Sequence, residues 1–85
     1  MAPPKRTDEE LAKAAEIGAR IRRLRLAQKL TLQQLAVRAN MHGDHLRELE
    51  HGRHVAYRHT LDRIATALGT TGHYLRTGRK NGGGK

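Results

Sequence analysis

The sequence predicts an all-α fold, a compact five-helix bundle in one small domain, and three observations lead there. Apolar residues recur every three or four positions through the middle of the chain, without the sustained period-2 alternation of a half-buried strand. Helix-start signatures stand at Thr7 to Glu10 and at Thr31 to Gln34, and Asn40, Gly52 and Gly69 supply stop signals. A length of 85 residues with 36% apolar content supports a single core.

The first helix opens at Thr7, whose hydroxyl caps the helix while Glu10 reaches back; Asp8 and Glu9 add negative charge at the positive end of the dipole. Leu11, Ala14, Ile17, Ile21 and Leu24 form its inward stripe, with Glu9–Lys13 and Glu16–Arg20 available as i,i+4 pairs, and the helix is expected to run to about Gln28. Thr31 and Gln34 open a second, short helix through Ala39, with Leu32, Leu35, Ala36 and Ala39 inward. Asn40 tolerates the left-handed conformation and turns the chain before Met41. The third helix runs from about Gly43 to His51, carries Leu46 and Leu49, and stops at Gly52. After a polar loop, Thr60 is expected to cap a fourth helix with Leu61, Ile64, Ala65 and Leu68, closed by Gly69. Thr71 then opens a last short turn with Leu75. The folded domain is expected over 7–77, between a basic flexible tail at 1–6 and a Gly-rich flexible tail at 78–85.

Charge points to the partner. Seventeen Lys and Arg against eight Asp and Glu leave a net +9, and the isoelectric point is near 11.1, so a polyanion is the default ligand. With 2% aromatic content and neither Phe nor Trp, single-strand binding by base stacking is disfavoured. The absence of Cys removes disulfides, thiolate zinc sites and a Cys nucleophile. No apolar run exceeds three residues, as at Leu35 to Val37, so a spanning helix and a signal-peptide core are absent and a cytoplasmic protein is expected. Neither a Ser/His/Asp order, nor paired-carboxylate spacing, nor a Gly-rich loop after a strand is present. The chain is therefore expected to be a non-enzyme without cofactor or metal.

The segment from Leu32 to His51 carries the functional expectation. Two short helices joined by a three-residue turn cross steeply and pack closely, which demands small residues at fixed places. Ala36 sits where the second helix presses on the third, Asn40 takes the turn, and Leu35, Met41, Leu46 and Leu49 point into the shared core. This is the layout of a DNA-binding helix-turn-helix (32–51), whose second helix enters the major groove. The run from Ile17 to Leu75, with IGARIRRLR, LTLQQLA, LRELEHGR and TLDRIATALGT in this order and spacing, resembles the lambda-repressor-like (Xre/Cro) helix-turn-helix family.

The resemblance implies roles for particular residues. Arg25 and Glu50 fall where the family pairs a first-helix Arg with a Glu ending the recognition helix, a structural salt bridge in which Arg25 is also able to face a phosphate. Base readout falls to Gly43, Asp44, Arg47, Glu48 and His51, with Arg47 suited to guanine. Asp44 and Glu48 are open to two readings, acceptance from cytosine N4 or a solvated, pair-forming role. Phosphate contacts fall to Thr31, Gln33, Gln34, Arg38, His42, His45, Arg53, Tyr57 and Arg58, which flank the groove-bound helix. The implied function is a sequence-specific double-stranded DNA-binding transcription regulator, repressor or activator, that reads a palindromic operator as a homodimer. Its dimer surface is expected from the fourth helix to the C-terminal turn, with Leu75 and Tyr74, and Lys5 and Arg6 offer a minor-groove arm.

Histidine is unusually concentrated, with His42, His45, His51, His54 and His59 around the third helix. Their intervals match no zinc module, and His42 is expected to cap the helix while His45, His54 and His59 lie near phosphates. Metal sensing and pH-sensitive DNA affinity stay open for this cluster. Two rival functions remain: an antitoxin or adaptor that binds a protein partner, favoured by acidic Asp44 and Glu48, and a non-specific nucleic-acid binder, favoured by net charge alone.

Overall fold

A computed structural model describes residues 8–79, and among these all regular structure is helical: α1 (Asp8–Ala27), α2 (Leu32–Arg38), α3 (Gly43–Glu50), α4 (Arg58–Leu68) and α5 (Gly72–Thr77). The expected cap at Thr7, the 1–6 tail and most of the 78–85 tail lie outside the described residues. α1 is the central strut, packing against α3, α4 and α5, while α2 is pressed between α3 and α4. Ile21, Leu35, Leu46, Leu61, Ile64 and Leu75 are fully enclosed, so every helix contributes to one core.

The local signals act as their chemistry requires. Thr31 Oγ1 accepts from Gln34 N at 3.0 Å and Gln34 Oε1 accepts from Thr31 N at 2.8 Å, a complete capping box on α2. Thr71 Oγ1 accepts from Tyr74 N at 3.0 Å and starts α5. α2 ends on Asn40 at φ 55°, where Asn40 N donates to Val37 O and Met41 N to Ala36 O, the paired reverse bonds of a Schellman turn. α3 ends the same way at Gly52, φ 72°, with Gly52 N donating to Leu49 O and Arg53 N to Glu48 O. α1 uses this turn too, with Lys29 at φ 58° in the left-handed position.

Four expectations are corrected. Thr60 does not cap α4: the helix begins at Arg58 after Tyr57, and Thr60 lies inside it, 3% exposed. Seating Leu61, Ile64, Ala65 and Leu68 in the core carries the helical register back past the threonine. Leu11 is 41% exposed rather than inward, because α1 begins its burial only at Ala14, where the other helices reach it. Neither Glu9–Lys13 nor Glu16–Arg20 closes to ion-pair distance among the described residues; Arg20 turns to α5 and donates from Nη1 to Leu75 O at 2.7 Å. Leu75 is fully buried against α1 in its own core and is therefore not an interface residue. Tyr74 is half-buried, with its hydroxyl accepting from Arg23 Nη2 at 3.3 Å.

Candidate nucleic-acid interface

α3 is positioned by its own apolar positions, by one glycine on another helix and by an ion pair. Leu46 and Leu49 are buried, which aims the opposite face, with Asp44, His45, Arg47 and Glu48, toward solvent. On α1, Gly18 is buried where the two helices cross. A Cβ there would overlap Leu49 O and stand 2.7 Å from Glu50 O, so the helices meet backbone to backbone. Nothing in the residues flanking Gly18 marks this contact, because the carbonyls that require it belong to α3.

Glu50 and Arg25 form a two-point ion pair, Nε to Oε2 at 2.7 Å and Nη2 to Oε1 at 3.0 Å, with side chains 4% and 11% exposed. Arg25 Nη1 donates to Leu30 O at 2.9 Å, so each of the three guanidinium nitrogens has a partner within the fold. Donation of hydrogen bonds to the Glu50 carboxylate holds the Arg25 pKa above its ordinary value, desolvation opposes this, and the Coulombic attraction of Glu50 adds to the rise.

The outward surface brings together part of the expected set. Thr31, Gln33, His42, Gly43, Asp44 and Arg47 line a cleft of about 500 Å³, with Leu32 and Met41, where the first turns of α2 and α3 meet. The α2 capping box engages the oxygens of Thr31 and Gln34 as acceptors and leaves the hydroxyl and amide hydrogens free to donate outward. His42 occupies the residue before α3 but makes no side-chain cap bond, contrary to expectation, and it is exposed beside the cleft. His45 is exposed on α3. Arg38 is not brought to this cleft: it lines a separate one with Asn40, Asp62, Arg63 and Thr66, between the end of α2 and α4.

At the far end of α3, His51 is exposed, with Nδ1 2.9 Å from Arg47 O. Arg53 Nη1 lies 2.7 Å from Glu48 Oε2, and His54 Nε2 lies 3.9 Å from Glu48 Oε1, an ion pair when the ring is protonated. Arg47 Nη1 is 3.4 Å from Asp44 Oδ1 in a looser, exposed pair. Both carboxylates on the outward face thus stand beside cations of the same surface. Tyr57, 74% exposed, stacks on His59 with centroids 5.8 Å apart and planes 7° from parallel, next to exposed Arg58 at the start of α4. Among the described residues, no three His, Asp or Glu side chains gather in a group able to hold a metal ion, and no helix is long and apolar enough to cross a membrane.

Known proteins share this architecture. A family model described as a helix-turn-helix domain matches residues 16–77. The crystal structure of the restriction-modification controller protein C.AhdI from Aeromonas hydrophila is similar, with a TM-score of 0.73 at 26% identity, over 75% of this chain and 97% of that one. The clp gene regulator ClgR from Corynebacterium glutamicum has a TM-score of 0.71 at 28% identity, over 74% of this chain and 67% of that one. Comparison with curated protein sequences gives no match. With the matched region running from the middle of α1 to the end of α5, the α2–α3 pair at its centre and five helices in the lambda-repressor-like arrangement, the chain belongs to the helix-turn-helix domain family.

Proposed function

We propose that the chain is a sequence-specific double-stranded DNA-binding transcription regulator that reads a palindromic operator as a homodimer. The observation that carries this reading is the split character of α3: one face is anchored by Leu46, Leu49 and Glu50, and the other is a solvent-facing polar surface on a strongly basic chain. A helix so held fits the major groove as a rigid reading head. Asp44, Arg47, Glu48 and His51 are its base-facing side chains, and Gly43 allows close approach at its first turn. Thr31, Gln33, Gln34, His42 and His45 contact phosphates on one side of the groove, and Arg53, Tyr57 and Arg58 do so on the other. Arg38, at the opposite end of α2, contributes a more distant phosphate contact. The dimer surface lies at α4–α5 around Tyr74, where a cleft of about 630 Å³ is lined by Leu24, Gln28, Leu68 and Tyr74 among others. Relatives named as a controller protein and a gene regulator support the regulatory role.

An adaptor role loses its main support, since Asp44 and Glu48 stand beside Arg47 and Arg53 and do not present bare negative charge to a partner. The deciding experiment is selection from random duplex DNA at physiological salt, followed by titration of the best site against scrambled sequence. An inverted repeat with half-sites about 34 Å apart, bound at least about a thousandfold more tightly than scrambled DNA, is expected. Absence of enrichment with strong residual binding would replace this reading with charge-driven packing.

A further inference from the structure

The pair between Glu48 and Arg53 joins a residue of the reading face to a candidate phosphate contact. Their spacing of five is not a helical neighbour spacing; the Schellman turn at Gly52 folds Arg53 back so that its amide bonds to Glu48 O at 3.0 Å while its guanidinium meets the Glu48 carboxylate at 2.7 Å. Backbone and side chain therefore hold the same partner. His54 faces the other carboxylate oxygen, and Glu48 is one-third exposed, at the rim of the surface rather than inside the fold. Arg47 and Asp44, the remaining charged groups of the α3 outer face, are themselves associated.

A carboxylate beside a guanidinium occupies the place that a DNA phosphate would take, and only one of the two anions is needed there. We propose that Glu48 determines base specificity by a base-dependent exchange of Arg53, an inference that rests on the operator-binding reading above. Where the facing base is cytosine, its N4 amino group donates to Glu48, the carboxylate is satisfied by the base, and Arg53 passes to a backbone phosphate. Where the facing base is thymine or guanine, the groove presents acceptors, Glu48 keeps Arg53, and that phosphate contact is not made. One carboxylate thus converts the identity of a base into the presence or absence of an electrostatic contact to the backbone.

Salt dependence exposes the exchange, because each phosphate contact adds about 0.9 to the slope of log affinity against log salt. Full-length protein is titrated on the selected duplex and on duplexes substituted at each half-site position, alongside Glu48→Ala, Glu48→Gln and Arg53→Ala. At one position, wild type is expected to prefer cytosine and to show a slope steeper by about 0.9 per half-site on cytosine than on thymine or guanine. Both Glu48 variants are expected to give the steeper slope on every duplex, scrambled DNA included, since residue 48 then carries no anion to hold Arg53 against a phosphate. Arg53→Ala is expected to give the shallower slope throughout and to keep only the part of the cytosine preference that the direct Glu48 hydrogen bond to N4 supplies. Equal wild-type slopes at every position, or a slope difference that survives in Glu48→Gln, would overturn the exchange while leaving operator binding intact. A selection without any preferred site would remove the operator reading and the base half of the exchange together. An unchanged slope for Glu48→Gln on scrambled DNA would then remove the pairing half as well.

Discussion

At the scale of single residues, Gly18 and the Arg25–Glu50 pair govern where α3 sits. Gly18→Ala places a methyl group on two carbonyl oxygens of α3, contacts that only a backbone shift relieves. Overpacking of this kind costs about 1–3 kcal/mol or more, a large share of what so small a core supplies, so the variant is expected to be largely unfolded by circular dichroism at 37 °C. Glu50→Ala leaves a nearly enclosed guanidinium without its anion and is expected to cost about 3–5 kcal/mol, read as a lowered melting temperature; Glu50→Gln, which keeps one acceptor, should cost less. A group whose folded pKa is raised stabilises the fold fully below its unfolded pKa and loses that contribution only as pH climbs through the folded value. For Arg25 that window is strongly alkaline, so its share should not vary across the physiological range. The sequence disclosed Arg25 and Glu50 through family resemblance and left Gly18 unassigned. A glycine needed because another helix's carbonyls lie against it has no local signature, since the partner is more than thirty residues away.

At the scale of elements, helix ends were legible wherever the signal was a short-range hydrogen bond. Thr31 with Gln34, Thr71, Asn40 and Gly69 act at the positions their chemistry indicates. Thr60 was misread because a cap signature is local while the register of α4 answers to the core. Lys29 was missed because nothing in its side chain favours the left-handed conformation that the turn after α1 imposes on it. That mismatch is testable. A left-handed non-glycine residue costs roughly 1–2 kcal/mol, and glycine returns part of this in the unfolded chain, so Lys29→Gly is expected to stabilise by about 0.5–1 kcal/mol in urea unfolding. Asn40→Gly should gain less, since asparagine already tolerates the conformation. The Glu48–Arg53 pair was likewise invisible to helical spacing, because it exists only once Gly52 has reversed the chain.

At the scale of the whole molecule, the parts of the proposed interface around α3 should separate by how they respond to DNA sequence. Arg58, exposed at the start of α4, is expected to act on backbone charge alone. Arg58→Ala should weaken binding to every duplex by a similar factor, flatten the salt slope by about 0.9 per half-site, and leave the selected sequence unchanged. A shifted base preference would move Arg58 to the reading face. All-α class, element order and the central helix pair were readable from periodicity and capping. The inward turn of Leu75 was not, since a short terminal helix shows its apolar residue without showing which neighbour covers it.

Arg25 holds Leu30 with one nitrogen and Glu50 with two others, so the whole of α2 and α3 is a loop of chain pinned at both of its ends to a single side chain on α1. Such a loop has no free end from which to fray. In hydrogen exchange, the core amides of α2 and α3 should open together with a common free energy, while the first turns of α1 exchange earlier. Glu50→Gln should lower that shared value for both helices at once. An excised peptide carrying only the two helices, deprived of its pin, should remain largely unstructured in water.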